Sequence, residues 1–162
     1  MERHLTWTKG LFESTYQVFE NGQIKNSLFF ETWKNEARSI GQSETIFFKT
    51  TGFLESTTLI VNEKAAVLGT ITFTFLQTKA NVILTDGTHY SCDFSNNWLS
   101  KWMVTDSKAK QIIYDSNTSS GNINTNTDDE LMLLTGLFFR EYYGRTIMLF
   151  IVFLFIFTIV IT

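Results

Sequence analysis

The sequence predicts a mainly β protein: a closed antiparallel barrel of roughly ten to twelve strands around a central hydrophobic helix, with a further apolar helix at the C-terminus. Three observations carry that expectation. From Leu5 to about Ile123, short β-rich runs alternate with turn signals, and the 162 residues contain no proline to interrupt a ladder. Between Leu131 and Phe139 only Thr135 and Gly136 break a run of large apolar side chains, so a helix there has no face for water. From Thr146 to Thr162 no side chain is charged. The order implies a barrel domain over residues 1–143 with its central helix at about 129–143, then a candidate transmembrane tail over 146–162.

The strands follow in order. Residues 16–20 and 23–30 flank Asn21-Gly22, the strongest short-range hairpin signal. Residues 37–40 suit a short strand and 32–38 equally suit one or two helical turns, so both readings stand at this level. Residues 45–49 and 54–61 are β-rich around Gly52. Asn62-Glu63-Lys64 then turns the chain into 66–75, where Ile71, Phe73 and Phe75 alternate with Thr70, Thr72 and Thr74 to give one dry and one wet face. Asp86-Gly87 joins 80–85 to 88–94 with a type I′ signature, which demands positive φ at both turn positions. Residues 102–104 and 111–114 flank Asp106-Ser107-Lys108, and the polar stretch 116–129 holds at most a short strand near Gly121-Asn122-Ile123. So wide an antiparallel sheet leaves two open edges unless it closes, which favours a barrel. Its interior needs filling, and 130–143 is the apolar helix of suitable length.

Thr127 is the expected N-cap, with Glu130 reaching back to it and Asp128 and Asp129 placing negative charge at the positive end of the helix dipole. Leu131, Leu134, Leu137 and Phe138 are the central-helix residues; about nine apolar residues are too few to cross a bilayer and belong in a protein core. The tail is longer. As a helix, 146–162 spans roughly 25 Å, near the lower limit for crossing hydrocarbon. Its anchor residues are Arg145, Ile147, Phe150, Phe153, Phe157 and Ile161, and Arg140, Tyr142, Tyr143 and Arg145 are the residue types that hold such a helix at an interface. The alternative for the tail is a buried strand or core helix, which its β-branched content permits.

A formal charge of −3 with scattered Lys and Arg gives no electrostatic footprint for nucleic acid. A single cysteine, Cys92, excludes an internal disulfide framework and a cysteine-rich zinc site. Met1-Glu2-Arg3-His4 leads into no apolar run, so no signal peptide is expected and the barrel is placed in the cytosol.

The hairpin from Ile60 through Asn62-Glu63-Lys64 to Ile71, the run Lys101-Trp102-Met103-Val104-Thr105-Asp106-Ser107-Lys108, and Gly121-Asn122-Ile123 ahead of an acid-capped apolar helix form one ordered pattern. It resembles the tubby C-terminal, phospholipid scramblase and LURP-one-related group over most of the first 143 residues, with Leu134-Thr135-Gly136-Leu137-Phe138-Phe139 similar to that group's core helix. The resemblance implies a roughly twelve-stranded barrel around a helix near the C-terminus, and lipid-associated or protein-binding work without an established catalytic site. Tubby-like members bind phosphoinositides through a basic pocket; no Lys and Arg cluster of that kind is matched here.

Alternation over 88–94 puts His89, Ser91 and Asp93 on one face and Tyr90, Cys92 and Phe94 on the other. Same-face neighbours on a strand lie nearly 7 Å apart, whereas a nucleophile and its base need about 3 Å, so the trio reads as a solvent-facing polar strand. Cys92 reads as a small buried hydrophobe. His89, Cys92 and His4 are too few for a metal site, capping accounts for Asp128, Asp129 and Glu130, and the tryptophans Trp7, Trp33, Trp98 and Trp102 are expected in the core. No Gly-rich phosphate loop precedes a helix, and no cofactor is expected. The expected function is a non-enzymatic, membrane-tethered barrel that binds a lipid or a protein at the cytosolic membrane face; the alternative is a lipid-handling or hydrolytic enzyme whose site is assembled from residues distant in sequence.

Overall fold

The computed structural model describes residues 2–10, 14–41, 43–52, 56–74 and 78–161, with the side chains of the last helix described as far as Ile159. Leu54 and Phe75, expected in strands, the side chain of Ile161, and Thr162 lie outside the described residues. Twelve strands precede one helix: β1 (Arg3–Lys9), β2 (Thr15–Glu20), β3 (Gln23–Phe30), β4 (Ala37–Ile40), β5 (Ile46–Thr51), β6 (Thr57–Asn62), β7 (Val67–Thr74), β8 (Lys79–Leu84), β9 (His89–Phe94), β10 (Lys101–Asp106), β11 (Gln111–Asp115), β12 (Ser120–Thr125) and α1 (Glu130–Ile161). Each strand pairs antiparallel with its neighbours in sequence, and β1 pairs with β12, Leu5 opposite Ile123, so the sheet closes into a barrel. Closure satisfies both edge ladders at once. The ambiguous stretch is strand β4, held to β5 at Ala37–Phe48 and Arg38–Phe47. Beyond those pairs the Ser39 hydroxyl accepts the Ile46 N–H at 3.1 Å.

Period-two alternation sets the two faces of the wall. Leu5 and Trp7, Tyr16 and Val18, Leu28 and Phe30, Ile71 and Phe73, Tyr90 and Cys92, Trp102 and Val104, and Ile112 and Tyr114 are all buried. Thr72, Asn81 and His89 face outward and are exposed, in the sense the sequence predicts.

The turn at Asn21-Gly22 has φ of 52° and 79°, as a type I′ hairpin requires. Asp86-Gly87 does not. Only Gly87 has positive φ, at 85°; Gly87 N–H donates to the Leu84 carbonyl at 3.0 Å and Leu84 N–H to the Thr88 carbonyl at 2.8 Å. This is a three-residue loop, a type I turn closed by one left-handed residue. The Asp86 carboxylate stabilises it by accepting the Thr88 N–H at 2.8 Å. Glu63-Lys64-Ala65 and Ser107-Lys108-Ala109 end the same way, with alanine in the left-handed position at φ 59° and 65°.

The two apolar segments that the sequence sets apart form one continuous helix of 32 residues. Gly144 does not interrupt it, because one helical glycine costs only about 1 kcal/mol. The Arg145–Glu141 ion pair at 2.9 Å and the Thr146 hydroxyl donating to the Tyr142 carbonyl at 2.8 Å span that turn. The cap also differs from expectation. Asp129, not Thr127, caps the helix: its Oδ1 accepts the Met132 N–H at 3.0 Å, while the Thr127 hydroxyl accepts the Asp129 N–H one turn earlier. Glu130 turns outward to the barrel, accepting from Asn26 at 2.6 Å and Ser43 at 2.8 Å.

Candidate functional site

Helix α1 has two halves in different surroundings, and their boundary is the site. In the first half Met132, Leu134, Leu137, Phe138 and Phe139 are wholly buried, as is Thr135; Leu131 is half-buried. Their partners come from around the sheet. Phe138 stacks on Phe48 of β5 at 4.6 Å and on Phe30 of β3 at 5.6 Å between ring centroids, and Phe139 stacks on Phe94 of β9 at 4.7 Å. Trp102 of β10 donates its indole N–H to the Gly136 carbonyl at 2.9 Å, and Tyr114 of β11 donates its hydroxyl to the Leu133 carbonyl at 2.8 Å. At the start of the helix, Asp129 accepts from Tyr90 and from Lys110, each at 3.0 Å.

The boundary carries a charged cluster that sequence reasoning did not find. Glu141, 7% exposed, accepts from Lys9 at 2.7 Å, Tyr16 at 2.7 Å and Arg145 at 2.9 Å. Arg140 donates to the Tyr16 hydroxyl at 2.7 Å and lies over the rings of Trp7 and Trp102 at 5.0 and 5.4 Å. Burial, then the neighbouring Glu141 carboxylate, push the Tyr16 phenol far above its ordinary value against the lowering effect of Arg140. It therefore stays a neutral hydroxyl that relays between the two charges. Lys9 and Arg145 bond the carboxylate directly and Arg140 reaches it through the Tyr16 hydroxyl, so three cations surround one anion and the cluster is net positive. Lys9 is more than 130 residues from Glu141 in the chain, and no local pattern marks such a pairing.

Tyr142 and Tyr143, expected to anchor at an interface, are instead core residues. Tyr142 stacks on Phe73 at 3.6 Å, and the Tyr143 hydroxyl lies 2.9 Å from the Thr74 carbonyl and 2.8 Å from the Lys79 carbonyl. Arg145 sits at the boundary itself. Its guanidinium pairs with Glu141, donates to the Glu31 and Lys34 carbonyls at 2.7 and 3.0 Å, and covers the Phe30 ring. Beyond it every side chain from Ile147 to Ile159 is exposed, among them the expected anchors Ile147, Phe150, Phe153 and Phe157. The helix is long and apolar enough to cross a membrane.

Strand β9 has the expected two faces. His89 and Ser91 line an outer depression of about 440 Å³ where β8, β9 and β10 meet, together with Asn81, Thr105 and Asp106. Asp93 is not among its lining residues and pairs with Lys79 at 3.2 Å, so the polar trio does not converge. Cys92 faces the other way; burial, with Asp93 adding to it, pushes its thiol far above the ordinary value. The tryptophans divide: Trp7 and Trp102 are wholly buried, whereas Trp33 and Trp98, expected in the core, are 94% and 89% exposed. Both stand in connectors rather than in strands, where no alternation exists to assign a side. Comparison of the chain with protein-family models, curated proteins and solved structures gave no match.

Proposed function

We propose that the chain is a non-enzymatic, membrane-tethered barrel that binds a lipid or a protein at the cytosolic membrane face, with residues 130–143 filling the barrel and 146–162 as its anchor. The observation that carries this reading is the unbroken exposure of Ile147 to Ile159 on a helix whose preceding turns are buried. A helix apolar on all sides has no stable place in water, and lipid removes that cost without disturbing the packed half. The outer wall argues for a barrel beside the bilayer rather than across it: exposed Ile24, Ile40, Leu59, Ile83 and Ile113 are interspersed there with exposed Thr72, Lys79, Asn81 and His89, which hydrocarbon would not solvate. The cations of the boundary cluster, Lys9, Arg140 and Arg145, precede the exposed run that begins at Ile147, the arrangement that favours a cytosolic barrel.

The twelve-strand count and the apolar helix that follows support the likeness to the tubby and scramblase group as part of this proposal. Asp93, paired with Lys79 away from the depression that His89 and Ser91 line, favours binding over hydrolysis. The test is fractionation of cells expressing the full chain and a chain ending at Arg145. The full chain is expected to stay in membranes through alkaline carbonate, and the shorter one to move to the cytosol. A full chain found in the cytosol without detergent contradicts the anchor.

A further inference from the structure

The ends of the barrel differ in chemistry. At one end five of the six connectors read Asn21-Gly22, Glu63-Lys64-Ala65-Ala66, Thr85-Asp86-Gly87-Thr88, Ser107-Lys108-Ala109-Lys110 and Asn126-Thr127-Asp128-Asp129, polar and without an aromatic residue. The other end, where α1 leaves the barrel, carries the two exposed tryptophans. Trp33 lies in the β3–β4 connector, closed at its base by the Glu31 N–H donating to the Glu36 carbonyl at 2.9 Å. Arg145 clamps that connector to the helix through the Glu31 and Lys34 carbonyls on either side of Trp33. Trp98 lies in the β9–β10 connector, whose strand end is level with Tyr143 through an edge contact of Phe94 at 5.8 Å.

The Trp98 connector is a built turn. Asn96 Oδ1 accepts the Ser100 and Lys101 N–H groups at 3.0 and 3.1 Å, and Leu99 is held at φ 55°, a strained conformation for a branched side chain. Strain of this kind persists where the surroundings fix the backbone, here with an indole left in water.

We propose that this end of the barrel is a bilayer-docking face, with Trp33 and Trp98 seated among the lipid headgroups of the membrane that α1 enters. The inference rests on the anchor reading above and adds where the barrel sits. The level follows from helix rise: Arg145 is two residues, about 3 Å along the axis, before Ile147, where the exposed apolar run begins. If that run starts at the hydrocarbon boundary, the connector bound to Arg145 lies within the headgroup layer, roughly 5–7 Å deep on each side. That layer is where indole rings, apolar with one N–H, are most favourably placed.

The experiment uses the full chain reconstituted in phosphatidylcholine vesicles containing some phosphatidylserine, beside a Trp33→Phe, Trp98→Phe double variant. Their difference in emission isolates the two exposed indoles from Trp7 and Trp102. Nitroxide lipids labelled near the headgroup are expected to quench that difference by roughly half or more, lipids labelled at the chain end to quench it less, and aqueous iodide to leave it unchanged. Quenching by iodide but not by lipid, from protein that floats with the vesicles, overturns the docking face and leaves the anchor standing. Protection from both quenchers puts a second copy or another protein over the tryptophans and overturns it as well. Protein that fails to float with the vesicles overturns the anchor reading, and the docking face with it.

Discussion

Gly136 of α1 lies against the phenol ring of Tyr114 on β11 so closely that a Cβ at Gly136 would stand 2.4 Å from the hydroxyl oxygen and 2.5 Å from the ring carbon bearing it. The ring cannot step aside, because it is stacked on Trp102 at 5.0 Å and its hydroxyl is tied to the Leu133 carbonyl. Gly136→Ala gains about 1 kcal/mol of helix propensity and is nonetheless expected to destabilise by about 1–3 kcal/mol. Gly144 is the internal control, since nothing lies within 4 Å of a Cβ placed there. Gly144→Ala is expected to be neutral or to stabilise by up to about 1 kcal/mol. Denaturant midpoints of the two variants check the sign of each; equal effects would contradict the packing.

The buried half predicts large losses on truncation. Leu134→Ala is expected to cost about 2–5 kcal/mol and Phe138→Ala about 3–5 kcal/mol, because each leaves a cavity between helix and wall. Phe138 also loses its stacks on Phe48 and Phe30. Chemical denaturation of the chain in detergent measures both. A midpoint unmoved by either change means that these turns are not the core.

The left-handed alanines predict gains. Ala65→Gly and Ala109→Gly remove a backbone penalty of about 1–2 kcal/mol and add unfolded-state entropy of about 0.5–1 kcal/mol, so each is expected to stabilise by a few tenths up to about 1 kcal/mol. Gly87→Val, which places a β-branched residue at φ 85°, is expected to destabilise. Thermal unfolding of the three variants gives the order, and a loss at Ala109→Gly would contradict the turn geometry.

These turns also mark how far the sequence could be read. Alternation in 66–75 and 88–94 assigned the faces of β7 and β9 because a strand's period-two pattern is local, and the all-apolar run from Leu131 identified the buried turns for the same reason. Asp86-Gly87 reads as type I′ in sequence yet folds as a three-residue loop, because two- and three-residue loops share the same glycine and the hydrogen bonds that separate them involve Leu84 and Thr88. The separation expected between 129–143 and 146–162 is absent because one glycine, Gly144, does not outweigh the helical bonds on both sides. The Glu141 cluster joins β1, β2 and α1 across the whole chain, and the exposure of Trp33 and Trp98 depends on which end of the barrel their connectors occupy. Neither property belongs to any window of sequence.

Cys92 serves as a reporter of the closed barrel. Wholly buried and with its thiol held protonated by burial, it is expected to react with iodoacetamide at mildly alkaline pH only through unfolding. For a domain of ordinary stability that slows labelling on the order of a thousand-fold or more relative to the unfolded chain. Raising the pH within the native range should leave that protection in place, since the folded thiol titrates far above it. Rapid labelling of native protein would mean an open wall between β8 and β10.

Helix α1 divides at Arg145 into a part packed against the barrel wall, which holds the domain together, and an exposed part that does not. The most direct measurement is the near-ultraviolet circular dichroism melt, without detergent, of a chain ending at Arg145. A fixed aromatic signal from Trp7, Trp102 and Tyr114 is expected, with one cooperative transition within a few degrees of the full chain in detergent, because all packed turns of the helix are retained. A shortened chain with no aromatic signal and no transition, beside a full chain soluble in plain buffer, would contradict it and assign 146–162 to the core.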